Sequence, residues 1–95
     1  MVHRGRGSAV RTIKQRMQAG LYRLTDHAEE MDDEEILDAD VVTAVLVGKL
    51  ARKLTDDPRG PRYVMRGPGR DGRAIEVVCR LMRPRIRVLT VYRVE

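Results

Sequence analysis

Apolar residues recur at helical spacing in the first half of the chain and at strand spacing in the second. Val10, Ile13, Met17 and Leu21 follow one another at three or four positions, with Arg11, Lys14, Gln15 and Arg16 on the other faces. Ser8 is a suitable N-cap, and Gly20 ends a helix at low steric cost. The pattern predicts a helix over about 9–19. Tyr22 to Leu24 reads as a short extended link. Thr25 then caps a second, short helix whose first turn holds Asp26 and Glu29, where the helix dipole favours anions. Asp38 is the expected cap of a third helix over about 39–47, with Leu37 and Val42 as its hydrophobic staple. Val41, Val42, Val45 and Leu46 form its apolar stripe, and Gly48 its stop. So many β-branched residues also suit a strand, but the cap at one end and the glycine at the other favour the helix.

From Lys49 onward strands and turns take over. Strands are expected over 50–55, 62–66, 73–81 and 85–94, separated by the Pro- and Gly-rich segments 56–61 and 67–72 and by Arg83-Pro84. Ile75, Val77 and Cys79 alternate with Ala74, Glu76, Val78 and Arg80, while Val88-Leu89-Thr90-Val91 is apolar on both faces, as in a central strand. Short turns favour an antiparallel meander. The expected architecture is α+β, with N-terminal helices packed on one face of a four-stranded antiparallel sheet. Residues 1–7 are expected to form a flexible basic tail and 8–95 a single domain. Val45, Leu46, Ile75, Val77, Val88 and Val91 are the expected core.

The chain has 95 residues, room for one hydrophobic core. Its aromatic residues are three tyrosines, too few for a platform that stacks successive bases. The lone Cys79 excludes an internal disulfide, and two histidines make a poor metal site. No segment approaches the ~20 apolar residues of a membrane span, so a cytoplasmic domain without membrane contact is expected. Charge is segregated along the chain. Residues 1–25 carry six bases and no acid, 26–40 nine acids and no base, and 41–95 thirteen bases against five acids. Sixteen of the nineteen bases are arginine, whose planar fork suits phosphate. A polyanion, with nucleic acid ahead of membrane, is the partner such a surface implies.

No P-loop, dinucleotide fingerprint, HExxH or EF-hand loop is present, and no cofactor is implied. The Gly67–Gly72 run lacks the Lys-Ser/Thr ending of a phosphate loop and reads as a hairpin turn. Asp32-Asp33-Glu34-Glu35 lacks the alternating ligands of a cation loop and reads as an acidic helix start or solvated linker. His27, early in the second helix, is a candidate acid or base, or else a packing residue. Arg62, Val64 and Arg66 are expected on one face of a strand, and Arg85, Arg87 and Arg93 on one face of the last. Glu76 is the only acid within these strands, which leaves the arginines needing an external anion.

Thr25-Asp26-His27-Ala28, then Met31, Ile36, Val41 and Gly48, and later Arg62-Tyr63, Glu76-Val77-Val78 and Val88-Leu89-Thr90-Val91-Tyr92, resemble domain-of-unknown-function family 4258. The resemblance covers about 21–93. It implies the small ribonuclease-toxin superfold of RelE-type and barnase-type proteins, and with it metal-independent RNA cleavage. His27 matches the family histidine, and Thr90 and Tyr92 its terminal Thr-x-Tyr. Glu30 and Glu34 stand where the family often has arginines, and carboxylates there repel phosphate.

Two readings follow. In the first, a toxin-like endoribonuclease, with an acidic antitoxin-like protein as the partner such a reading implies, holds RNA with Arg62, Arg66 and Arg73 and cuts it with His27, Thr90 and Tyr92. In the second, the chain is a degenerate member that binds RNA or a protein without cutting.

Overall fold

Each segment with helical spacing forms a helix and each with strand spacing a strand in the computed structural model, which describes residues 6–29 and 35–94. His3, Glu30, Met31, Glu34 and most of the acidic run 32–35 lie outside the described residues. The order is α1 (Arg6–Gln18), β1 (Tyr22–Leu24), α2 (Asp26–Glu29), α3 (Asp38–Val47), β2 (Lys49–Leu54), β3 (Arg62–Pro68), β4 (Ala74–Leu81) and β5 (Ile86–Arg93). Helix α1 thus begins two residues inside the expected tail. Thr25 caps α2, its hydroxyl accepting from the Ala28 amide at 3.1 Å. The carboxylate that caps α3 is Asp40 rather than the expected Asp38. Its Oδ2 accepts from the Leu37 amide at 2.8 Å. Its Oδ1 accepts from the Arg70 amide at 2.8 Å, which ties the start of α3 to the β3–β4 turn.

The sheet is five-stranded and mixed, not four-stranded and antiparallel. Its order is β1-β5-β4-β3-β2, and β1 runs parallel to β5 in the register Tyr22↔Ile86, Arg23↔Arg87, Leu24↔Val88. Three residues are too few to show a strand period, and the partner that makes them a strand lies far along the chain. The other pairs are antiparallel, as the short turns predict.

All three helices cover one face of this sheet. Ile13 and Met17 of α1, Ala28 of α2, and Val41, Ala44 and Val45 of α3 share a core with Tyr63, Met65, Ile75, Val77, Cys79, Ile86, Val88 and Val91. Of the expected core residues, Leu46 is only half-buried. Burial pushes the Cys79 thiol up to about 12, so it sits in this core as a small, inert hydrophobe.

Helix α3 lies unusually close to β3. A Cβ at Gly67 would strike the Ala44 carbonyl and the Gly48 Cα, and one at Gly48 would strike the Arg66 and Ala44 carbonyls. These obstacles are backbone, which cannot swing aside. Gly67→Ala is therefore expected to destabilise the fold by about 1–3 kcal/mol, the usual cost of overpacking. Urea unfolding measures it, and an unchanged midpoint would show that α3 and β3 are not in this contact.

Candidate nucleic-acid interface

Residues that alternate with the core strands form a second face, which none of the described helices covers. Register sets them in rows across the strands. Lys49, Arg66, Glu76 and Tyr92 make one row, and Arg52, Val64, Val78 and Thr90 the next. Arg80, Arg87 and Arg23 continue a third from β4 to β1. Val64 is fully buried although no described helix lies over it.

Two bulges decide which side chains reach this face. In β2, Leu50 opposes Met65 and Arg52 opposes Val64, so Ala51 is extra. In β5, Val88 opposes Cys79 and Thr90 opposes Val78, so Leu89 is extra. Each inserted residue shifts the alternation by one and turns everything beyond it to the opposite side. Arg52 is thereby placed on the open face, as are Thr90 and Tyr92, while Val91 enters the core. For the same reason Arg87 and Arg93 do not share a face, contrary to simple alternation. Arg93 opposes Ile75 on the helix side and lies 3.7 Å from Asp71.

The bulges converge on Glu76, which is only 5% exposed. Its Oε1 accepts from the Tyr92 hydroxyl at 2.6 Å and from Arg52 Nη2 at 2.9 Å. Arg52 Nη1 donates to Oε2 at 3.3 Å, completing a two-pronged clamp. Arg52 Nη2 also reaches the Tyr92 oxygen at 2.9 Å. Burial pushes the Glu76 carboxyl upward, but the hydrogen bonds from Tyr92 and Arg52 and the nearby guanidinium charges hold it below its ordinary value. The Tyr92 hydroxyl is raised by its own burial and by the hydrogen bond to that carboxylate. At neutral pH the cluster is thus a carboxylate holding a phenol and a guanidinium. Glu76 was visible as a lone strand acid, but nothing in the strand period placed Arg52 and Tyr92 beside it.

The sequence-predicted residues divide between places. Thr90 and Tyr92 share the open face with Arg62 and Arg66. Arg73 stands in the β3–β4 turn, 3.1 Å from Asp71 and 4.0 Å from Glu35. His27 is exposed on α2, which packs on β5, and no hydrogen bond or ion pair joins it to Thr90 or Tyr92. What ties this segment to β5 is Thr25. Its amide donates to the Val88 carbonyl at 3.0 Å and its hydroxyl to that of the bulge residue Leu89 at 3.3 Å.

Several arginines also find acids that strand patterning did not supply, because those acids come from turns. Arg62 lies 2.7 Å from Asp56, and Arg80 lies 2.8 Å from Asp57. Arg66, Arg23 and Arg87 have no such partner among the described residues. Nor do three or more His, Cys, Asp or Glu side chains gather there to hold a metal ion.

Asp57 carries a consequence for stability against pH. The Arg59 amide and guanidinium, with Arg80 adding its charge, lower its carboxyl from 3.8 to about 2. A depressed carboxyl stabilises the fold above its unfolded value and loses that contribution as pH falls towards the folded one. Asp57→Asn is therefore expected to flatten the loss of stability between pH 3.8 and about 2. Thermal unfolding across that window measures it, and parallel curves for the two proteins would contradict the pairing.

Comparison with curated proteins and with solved structures gave no match. No described helix is long and apolar enough to cross a membrane. A family model does match, over residues 24–93, from β1 to the last residue of β5. That span holds the Thr25 clamp, both bulges and the Glu76 cluster, and it makes the chain a member of the domain of unknown function family DUF4258.

Proposed function

We propose that the open face of the sheet binds RNA and that the Glu76 cluster cuts it. The observation that carries this reading is the pair of bulges, which spend regular pairing on two strands to set a carboxylate, a phenol and a guanidinium together on a basic surface. Bulges are frequent beside active sites because they re-aim single side chains. Arg66 and Lys49 flank the cluster in the same row and hold phosphate, and Thr90 lies beside it in the next. Glu76 takes the proton of a ribose 2′-OH as that oxygen bonds to phosphorus. The bond from phosphorus to the 5′-oxygen breaks, and Tyr92 gives its proton to the departing oxygen. A 2′,3′-cyclic phosphate is left, and the proton on Glu76 returns to Tyr92 along their hydrogen bond. This resembles the RelE-type and barnase-type chemistry that the sequence suggests, with Glu76 as the base in place of His27. An acidic antitoxin-like protein covering the basic face would suit the same surface.

A second reading has its own support. Glu76 and Tyr92 satisfy each other, and both are shifted away from the neutral range where proton transfer is most efficient. In that reading the cluster is a structural lock and the face binds RNA without cutting.

Incubation of the protein with cellular RNA separates the two. Cleavage leaving 2′,3′-cyclic ends is expected, and Tyr92→Phe should lose roughly 10²–10⁴-fold of it, the usual worth of a positioned proton-transfer group. His27→Ala should retain cleavage within about tenfold. Inert wild type that still binds RNA establishes the second reading, and a collapse confined to His27→Ala contradicts the role of Glu76. Binding has its own check in the salt dependence of affinity for a single strand. Arg66→Ala should reduce the slope by about 0.7, the loss of one phosphate contact. Arg62→Ala should reduce it far less, because Asp56 already neutralises that guanidinium. Equal effects would show that the ion pairs do not persist in solution.

A further inference from the structure

At the β1–β5 end of the open face the third row runs into a cleft of about 270 Å³. Its walls are Arg23 of β1, Met82, Arg83 and Arg85 of the β4–β5 turn, and Ile86 and Arg87 of β5. Four arginines line it, and no acid among the described residues does. None of the four makes an ion pair among the described residues, whereas Arg52, Arg59, Arg62, Arg70, Arg73 and Arg80 each have one. Arg23 and Arg87 are direct neighbours in the parallel register, and Arg87 is the direct neighbour of Arg80 on its other side. Like charges so placed repel each other. A fold that supplies turn acids to Arg59, Arg62, Arg73 and Arg80 leaves this repulsion standing at one concave end.

The cleft is also held in shape. Arg16 of α1 donates to the carbonyls of Met82 and Arg85, and the Met82 amide donates to the Arg85 carbonyl at 2.9 Å. The Ile86 amide donates to the Leu21 carbonyl at 3.0 Å, which fixes the start of β5 against the chain entering β1. The Met82 and Arg85 carbonyls are thus engaged by Arg16 and by the turn itself, which holds the turn that bears Arg83 and Arg85 against α1.

We infer that this cleft takes a phosphate monoester, of the kind carried by the 5′ or 3′ end of an RNA strand lying on the open face. Four unopposed positive charges suit a group carrying about −1.5 to −2 better than the single charge of an internal diester. Guanidinium forks match its oxygens in pairs. Monoester binding stands on the cleft itself, while its assignment to RNA rests on the proposed function of the face.

The test compares single-stranded 2′-O-methyl-RNA oligonucleotides, which the 2′-OH chemistry cannot cut, bearing a 5′-phosphate, a 3′-phosphate or neither. All are measured at one ionic strength. One end-phosphate is expected to tighten binding at least about tenfold, as one charge-assisted contact would. The 5′ and 3′ arms tell which end is held. Arg87→Gln and Arg23→Gln should each abolish that ratio, and Arg66→Gln should weaken all three strands alike and preserve it. If neither end-phosphate matters while the bare strand binds, the cleft is overturned and the RNA-binding face stands. If an end-phosphate matters but Arg87→Gln and Arg23→Gln leave its effect unchanged, the cleft is overturned as well. Inorganic phosphate separates the remaining case. A rise in melting temperature that Arg87→Gln removes, with no strand bound, keeps the monoester site and overturns its assignment to RNA.

Discussion

A carboxylate buried on a sheet face with no helix above it must be paired, and the open side of this protein is arranged around that demand. Leaving Glu76 without donors would cost several kcal/mol, a large share of a small domain's stability. Its donors come from strands on either side, Arg52 from β2 and Tyr92 from β5. Strict alternation would turn both away. The extra residues Ala51 and Leu89 bring them round, so two local losses of pairing complete one buried network.

The bulge in β5 is itself supported from outside its strand. Its extra residue leaves a carbonyl beyond the regular ladder, and the Thr25 hydroxyl donates to it while also capping α2. One threonine therefore links the end of β1, the start of α2 and the turn of alternation that aims Tyr92. This explains physically why the segment around His27 matters to the open face although His27 is not bonded to it. On the covered side the comparable fixed point is the approach of Ala44 and Gly48 to Gly67, where the absence of side chains sets how closely α3 lies on the sheet.

Much of this was legible in the residues. Helical and strand periods located all three helices and the four longer strands, and the family resemblance is confirmed by the match over 24–93. Three things were not legible, each for a physical reason. Tyr22 to Leu24 became a strand through a distant parallel partner that leaves no local signal. The bulge that separates Arg87 from Arg93 inserts no distinctive residue type; Leu89 and Ala51 are ordinary strand residues. The arginines' acids were missed because Asp56 and Asp57 lie in a turn, and turn geometry decides where those carboxylates point. The resemblance singled out Thr90 and Tyr92 together with His27, but alternation alone set Thr90 and Tyr92 on the face opposite Arg87, and the carboxylate that Tyr92 meets carried no motif.

The charge pattern gains its meaning from the same geometry. On the β2–β4 side Arg52, Arg62 and Arg80 are taken up by internal acids, and Arg66 and Lys49 are left without an ion pair among the described residues. Towards β1 the compensation stops, and positive charge accumulates in a concave end. A surface graded this way would orient a strand of RNA rather than merely attract it.

Whether the two bulges turn Tyr92 onto Glu76 is read by a double-mutant cycle on unfolding free energy. Glu76→Gln, Tyr92→Phe and the double variant are compared by urea denaturation. A coupling of at least about 1 kcal/mol is expected, as for residues in one hydrogen-bonded network. Additivity within about 0.3–0.5 kcal/mol, the behaviour of distant sites, would show that Tyr92 is not turned towards Glu76.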